Sequence, residues 1–287
     1  MSTIAVTGVT GQVGGAVARQ LSAAGVGLRL IGRAPERLPH LPGAEPGPPA
    51  HYGDQSSMEA ALTGCATVFM VSAREDADRQ TLHRNVVEAA VRARVERIVY
   101  LSFQGAAANC TFTFGRDHWY TEQLIRGSGL GYTFLRDSFY LAMLPALAGA
   151  DGVIRGPAGT GRVAAVAHRD VADVAVTVLT GRGHDGQSYD VTGPEAITLA
   201  DAAQTISRVS GLTVRYEEET LEEAYASRAQ FGAPRFEVDG WVTSYLAIAH
   251  GEVSAVSDWV PRLTGHPAQG LEDFLRDNPQ SYAHLHN

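Results

Sequence analysis

Three glycines stand at three-residue spacing near the start of the chain: Gly8, Gly11 and Gly14. Apolar Ile4, Ala5 and Val6 precede them, and an Ala/Val/Leu-rich run from Gln12 to about Ala24 follows. A strand, a glycine turn and a helix in that order make a dinucleotide cradle. Gly8 permits the tight turn, Gly11 lets the backbone approach a pyrophosphate, and Gly14 lets the helix pack on the strand. The phosphates would meet the free N–H groups and positive dipole end of that helix. An ordinary glycine turn uses the same residue type. The position between an N-terminal strand and an amphipathic helix favours the cradle.

The next informative side chain closes the second strand, Leu28 to Ile31. Folds that bind NAD place an Asp or Glu there for the adenosine ribose. This chain has Gly32 and Arg33 instead, with Arg37 close behind. A guanidinium matches a 2′-phosphate, since its planar fork gives two charge-assisted hydrogen bonds. NADP(H) is expected rather than NAD(H), with a solvated loop arginine as the competing reading.

One absence limits the chemistry. The chain has no lysine, and all 23 of its lysine-plus-arginine total are arginine. The Tyr-x-x-x-Lys proton-donating pair common to short-chain dehydrogenases is therefore impossible, and Tyr120 is followed by Glu122, Gln123 and Leu124. Alcohol–ketone interconversion by that route is excluded.

The elements that must position these residues follow from composition and periodicity. A chain of 287 residues, 45% hydrophobic and 19% charged, suits one large globular domain or two closely joined ones. No apolar run reaches membrane-spanning length and no signal-like segment opens the chain, so a cytoplasmic protein without membrane contact is expected. Net charge of −8 with scattered arginines argues against nucleic-acid binding. Cys65 and Cys110 have no metal-ligand spacing, and no metal site is expected.

Pro35 to Pro49 reads as loop, and His51 to Asp54 as a third strand ending in a polar turn. Asp54 could cap the adenine pocket or the short helix Ser57 to Leu62. Thr67 to Val71 is a fourth strand, with Ser72 and Ala73 at its carboxyl edge, the usual side for ligand contacts. Arg79 to Arg94 reads as a long helix with Leu82, Val86, Val87 and Ala90 on one face. Arg97 to Phe103 is a fifth strand, with Ser102, Phe103 and Gln104 at the same edge. A helix from His118 to Arg126 and a strand from Tyr132 to Arg136 complete six alternations. The fold class expected is α/β: a doubly wound parallel (Rossmann) sheet with a smaller, mainly helical C-terminal lobe.

The boundaries expected are a dinucleotide-binding domain over 1–150 with a returning segment at about 162–182. A substrate-binding lobe over 151–161 and 183–287 would leave a cleft over the cofactor edge. Within these, Asp137 to Leu147 reads as helix, Gly149 to Gly161 as irregular, and Thr213 to Glu217 as a short strand. The acidic cluster Glu217 to Glu219, Glu222 and Glu223 reads as a solvated connection.

Several of these segments together resemble the NmrA-like branch of the atypical short-chain dehydrogenases. They are Thr7 to Gly14, Arg33, Tyr52-Gly53-Asp54, His83 to Val86, Asp117-His118 with Thr121-Glu122, and Tyr132 to Arg136. Leu263 to Pro267 and Leu271 to Phe274 extend the likeness. Within that branch the chain is most similar to bacterial type-2 NAD(P)H:quinone oxidoreductases. The likeness is weakest from Glu195 to Trp259.

The resemblance implies that Gly8, Thr10, Gly11, Gln12, Val13 and Gly14 hold the pyrophosphate and Arg33 the 2′-phosphate. It implies that Ser72, Ala73, Ser102 and Phe103 line the ribose and nicotinamide. His118 falls where isoflavone-reductase relatives carry an active-site lysine and quinone reductases a histidine. A proton-donating role for His118 and a purely structural one both remain open. Tyr140 would line the substrate pocket, Phe139 would be core, and His83 and Asn85 would make structural hydrogen bonds.

Quinone reduction suits a site without an acid–base pair, because a quinone takes hydride directly and its hydroquinone anion takes a proton from water. The expected function is NADPH-dependent hydride transfer to a quinone or similar conjugated small-molecule acceptor. A non-catalytic NADP(H) sensor and a reductase of one specialised metabolite are the alternatives. A homodimer stays open.

Overall fold

The computed structural model describes residues 3–286. In chain order its first half runs β1 (Thr3–Val6), α1 (Gln12–Ala23), β2 (Leu28–Leu30), β3 (Ala44–Pro46), α2 (Gln55–Leu62), β4 (Cys65–Val71), α3 (Arg79–Arg92), β5 (Arg97–Phe103), α4 (Thr113–Gly127) and β6 (Gly131–Asp137). Then follow α5 (Met143–Ala146), β7 (Val153–Gly156), β8 (Arg162–Val163), α6 (His168–Thr180), β9 (Gln187–Val191), β10 (Ile197–Thr198), α7 (Leu199–Ser210) and β11 (Arg215–Glu218). Helices α8 (Leu221–Arg228), α9 (Arg235–Ala249), α10 (Trp259–Thr264) and α11 (Leu271–Asp277) follow, and a 3-10 segment over Pro279–His286 comes last.

The chain forms two compact units. One comprises the residues up to Ala108, with Asp117–Arg136 and Val171–Tyr189. Its seven-stranded sheet has the order β3-β2-β1-β4-β5-β6-β9. Strands β3, β2, β1, β4 and β5 pair in parallel. The order reverses between β1 and β4, the switch point where α/β sheets bind ligands beyond their carboxyl ends. Periodicity explains the packing. Alternate residues Val68 and Met70 of β4, and Ile98 and Tyr100 of β5, join Phe134 in a core shared with Met58, Leu62, Val86, Val87 and Ala90 of α2 and α3. Each such large apolar side chain adds roughly 1.5–3 kcal/mol by leaving water.

The third strand is not where alternation placed it. His51 to Asp54 forms a turn, with Asp54 N–H donating to the His51 carbonyl at 3.0 Å, while β3 lies inside the proline-rich stretch. Pro46 is tolerated because β3 sits at the sheet edge and pairs with β2 alone.

The second unit comprises Asn109–Arg116, Asp137–Asp170 and the chain from Asp190 onward. It is mainly helical, with two small sheets: β7 with β11 in parallel and β8 with β10 antiparallel. The helix expected over Asp137 to Leu147 shrinks to the four residues of α5, because Tyr140 is drawn into a bridge with Val166. The segment expected to be irregular contains β7, which exists through its partner some sixty residues away. The acidic cluster is not all solvated. Glu219 is buried against Arg228 at 2.7 Å, and Glu223 closes a capping box with Thr220 at the start of α8. Among the described residues, no helix is long and apolar enough to cross a membrane.

Candidate functional site

After β1 the chain turns at Gly8, whose φ of +65° is a left-handed conformation that glycine adopts without strain. Space forbids anything larger as well. A Cβ on Gly8 would stand 2.8 Å from Val71 Cβ, and one on Gly14 only 2.4 Å from the Gly8 carbonyl oxygen. Gly14 therefore lets α1 enter directly over the turn. Gly11 is the N-cap of α1, in extended backbone, with no side-chain cap and no acidic residue in the first turn. The N–H groups of Gln12, Val13 and Gly14 have no acceptor within the helix. Thr10, Gly11 and Gln12 are exposed. Open donors, a positive helix end and close backbone fit the pyrophosphate of a dinucleotide.

The cradle is pinned from behind. The Val71 N–H donates to Thr7 Oγ1 at 2.9 Å. Tyr52 Oη lies 2.7 Å from that Oγ1 and 2.6 Å from the Val71 carbonyl oxygen. The ends of β1 and β4 are thus held together by one buried threonine and one tyrosine. Burial pushes the Tyr52 hydroxyl's pKa well up, which keeps it protonated as a donor.

Arg33 follows β2 at the same edge, exposed, and no ion pair is found for it among the described residues. Asp54 is differently employed. Its Oδ1 accepts from the Ser56 N–H at 3.0 Å, the Ser56 hydroxyl at 2.7 Å and the Ser57 N–H at 3.3 Å, capping α2. Those bonds also hold its carboxyl below the usual pKa range, the Ser56 hydroxyl first. Of the two roles open to Asp54, the structure uses the helix cap.

Beyond β4, the Ala73 peptide groups are both bound to α3. The Ala73 N–H donates to His83 Nε2 at 2.8 Å, and Arg79 Nε donates to the Ala73 carbonyl at 3.0 Å. A backbone N–H can only donate, so His83 Nε2 carries the lone pair and Nδ1 the proton. Nδ1 lies 2.7 Å from Thr121 Oγ1, whose own hydroxyl donates to the Asp117 carbonyl. Burial first, then the Arg79 charge, hold His83 well below its ordinary pKa. Asn85 donates to the Tyr52 carbonyl at 2.9 Å.

His118 is bound in the same manner. Arg79 Nη2 lies 3.2 Å from its Nε2, and Tyr100 Oη lies 3.0 Å from its Nδ1. A guanidinium has only protons to give, so Nε2 is the acceptor and Nδ1–H faces Tyr100. The ring is neutral, and burial followed by the charges of Arg79 and His83 hold its pKa well down. Its one N–H is spent on a buried tyrosine. The proton-donor role considered for His118 does not match this bonding.

Ser102 also departs from expectation. It is fully buried and donates to Glu122 Oε1 at 2.7 Å. Glu122 in turn is gripped by Arg136, Nε to Oε1 at 2.8 Å and Nη2 to Oε2 at 2.6 Å. Glu122 claims the Ser102 hydroxyl proton, so that buried side chain has no donor left for a ribose. Phe103 is buried with its ring 6.0 Å from the His118 ring.

In the second unit, Tyr140 donates its hydroxyl to Asp137 Oδ2 and stacks on His168 with ring centroids 3.8 Å apart. Burial, then the Asp137 charge, raise the Tyr140 pKa well above its usual value. Burial lowers His168 to about 4. Phe139 is core, edge-on to Phe112 at 5.5 Å.

Arg79 and Tyr100 escaped sequence reasoning. A signal for Arg79 existed: it lies one turn before His83 on α3, and both point to the buried side of that helix.

A doubly wound sheet carrying an open glycine cradle at its switch point defines a dinucleotide-binding protein. The chain belongs to the NAD(P)H-binding family, which matches residues 8–182, and is an NAD(P)H-dependent oxidoreductase. It is 35% identical to the (4-alkanoyl-5-oxo-2,5-dihydrofuran-3-yl)methyl phosphate reductase of Streptomyces griseus, over 98% of this chain and 99% of the relative. It is 31% identical to the NAD(P)H azoreductase of Xenophilus azovorans, over 97% and 99%. The crystal structure of the NADPH-dependent quinone oxidoreductase QOR2 of Escherichia coli, complexed with NADPH, matches with a TM-score of 0.86 and 31% identity, covering 99% of this chain and 100% of that one.

Proposed function

We propose that the protein transfers hydride from NADPH to a quinone or a similarly conjugated acceptor. The observation that carries this reading is the bonding of His118. Its ring is neutral, its Nε2 faces Arg79 and its proton faces Tyr100. Such a ring cannot protonate a substrate without breaking a buried bond, so an acceptor that needs no enzymic acid suits the site.

NADPH, when bound, supplies the hydride. The chain's own work is binding and orientation. The uncapped start of α1, from Gly8 through Thr10, Gly11, Gln12 and Val13 to Gly14, holds the pyrophosphate. The exposed Arg33 guanidinium takes the 2′-phosphate. Ser72, Ala73 and Phe103 border the ribose and nicotinamide, and His118 orders that border. The unit made of the residues up to Ala108, Asp117–Arg136 and Val171–Tyr189 serves as the cofactor domain. The second unit, which carries Tyr140, is the acceptor-binding part.

A second reading is favoured by the 35% identity to a reductase whose named substrate is an alkanoyl-oxo-dihydrofuran phosphate. The acceptor would then be one specialised metabolite with a conjugated carbonyl. The test is loss of reduced-nicotinamide absorbance with a panel of quinones and acyl-substituted unsaturated lactones. Turnover with simple quinones supports the first reading. Turnover confined to the lactones selects the second. NADPH binding with no turnover on either class overturns both.

A further inference from the structure

We propose that Arg79 and His83 act as a clamp on the Ala73 peptide groups that sets the nicotinamide half of the cofactor site, leaving the adenosine half to the glycine turn and Arg33. The inference rests on the reading of Ser72 and Ala73 as the nicotinamide border.

The geometry is specific. Ala73 lies two residues past the end of β4, where a chain leaving a strand has no ladder partner for its N–H or C=O. Here both groups are satisfied by side chains one turn apart on α3, His83 Nε2 at 2.8 Å and Arg79 Nε at 3.0 Å. Both side chains are themselves buried, at 0% and 5% exposure. They are also fixed at their far ends. His83 is bound to Thr121 of α4 at 2.7 Å, and Arg79 to His118 of α4 at 3.2 Å. The carboxyl edge of β4 is therefore tied through α3 to α4 by four hydrogen bonds, none exposed.

The chemistry explains the residue types. The N–H of Ala73 requires an acceptor, and neutral histidine with its proton on Nδ1 offers one at Nε2 while donating to Thr121 from the other nitrogen. The carbonyl requires a donor, and a planar guanidinium can serve it and His118 at once from Nε and Nη2. A lysine has one nitrogen on a flexible stem and cannot span the two acceptors. Arg79 and His83 are positioning residues: they touch the protein backbone, and through it the pocket wall.

A clamp of this kind makes a separable prediction. The cradle and Arg33 recognise the pyrophosphate and 2′-phosphate, groups that NADPH shares with 2′-phospho-ADP, which lacks both the nicotinamide and its ribose. Loosening Ala73 should weaken NADPH but not the fragment. The experiment measures the dissociation constants of NADPH and 2′-phospho-ADP by calorimetry, with no acceptor present, for wild type, His83→Leu, His83→Gln and Arg79→Lys. Loss of NADPH affinity by about tenfold is expected for His83→Leu and Arg79→Lys, the scale of one lost buried hydrogen bond. Fragment affinity should stay within about twofold of wild type, a margin well under one such bond. His83→Gln can place an acceptor near the position of Nε2 and should recover most of the NADPH affinity.

An equal fall for NADPH and the fragment would mean a general structural role and overturn the clamp, as would no change in either. If His83→Leu does not fold, the comparison of Arg79→Lys with His83→Gln decides on the same criterion. Wild-type protein that binds neither compound would bring down the cofactor reading itself, and the clamp with it.

Discussion

Arg33 and Asp54 both sit at the carboxyl edge of the sheet, yet their surroundings give them opposite employment. Asp54 has three donors within 3.3 Å and spends its Oδ1 on the start of α2. Arg33 is exposed, and among the described residues no ion pair engages its five donors. Replacing it should therefore be felt by the ligand more than by the fold. Arg33→Ala should weaken NADPH by about tenfold to a hundredfold, the range of one charge-assisted contact, and leave NADH almost unchanged. Fluorescence titration with both nucleotides checks this, and equal loss for the two would remove the 2′-phosphate assignment. Asp54→Ala should do the reverse, lowering the melting temperature by a few degrees through loss of the cap while NADPH affinity holds.

At the scale of elements, the join between β1, the turn and α1 is the least forgiving. Any side chain at Gly14 would meet the Gly8 carbonyl oxygen at 2.4 Å, a backbone atom that can move only by shifting the helix. Gly14→Ala should cost about 1–3 kcal/mol in denaturant unfolding, typical of overpacking, and abolish measurable NADPH binding. Binding retained at the wild-type level would show that α1 can shift without disturbing the cradle. The same scale shows why α3 carries more than apolar packing. Val86, Val87 and Ala90 seal its core side, and Arg79 and His83 extend that side toward the sheet's carboxyl edge. One helix face thus serves the core at one end and the site at the other.

For the whole molecule, buried neutral histidines set the acid limit of stability. His83, His118 and His168 all have folded pKa values below the ordinary value of 6.5, with burial the leading cause in each. In the window between folded and unfolded values the unfolded chain binds more protons. Stability is therefore greatest above about 6.5 and falls as pH drops below it. For His168 the decline continues to about 4. Thermal melts stepped from neutral pH toward pH 4 should show a falling midpoint, and His168→Phe should flatten part of that slope. A midpoint that does not change with pH would show that these rings are not the groups that limit stability in acid.

Features whose physics is local could be read from the residues alone. Glycine spacing defined the cradle, because a left-handed turn and a close helix entry demand glycine wherever they occur. Helical and strand periods gave the alternation that makes a doubly wound sheet, and the absence of lysine ruled out one mechanism outright. Features that depend on a distant partner emerge once the chain has folded. Strand β3 exists because Ala44 to Pro46 can pair with β2, and β7 because it meets β11. Ser102 turned out to serve Glu122, and His118 to accept from Arg79, a residue 39 positions away in sequence. Which nitrogen of a buried histidine holds the proton follows from what lies opposite each one, and that is settled only when α3, α4 and the sheet come together.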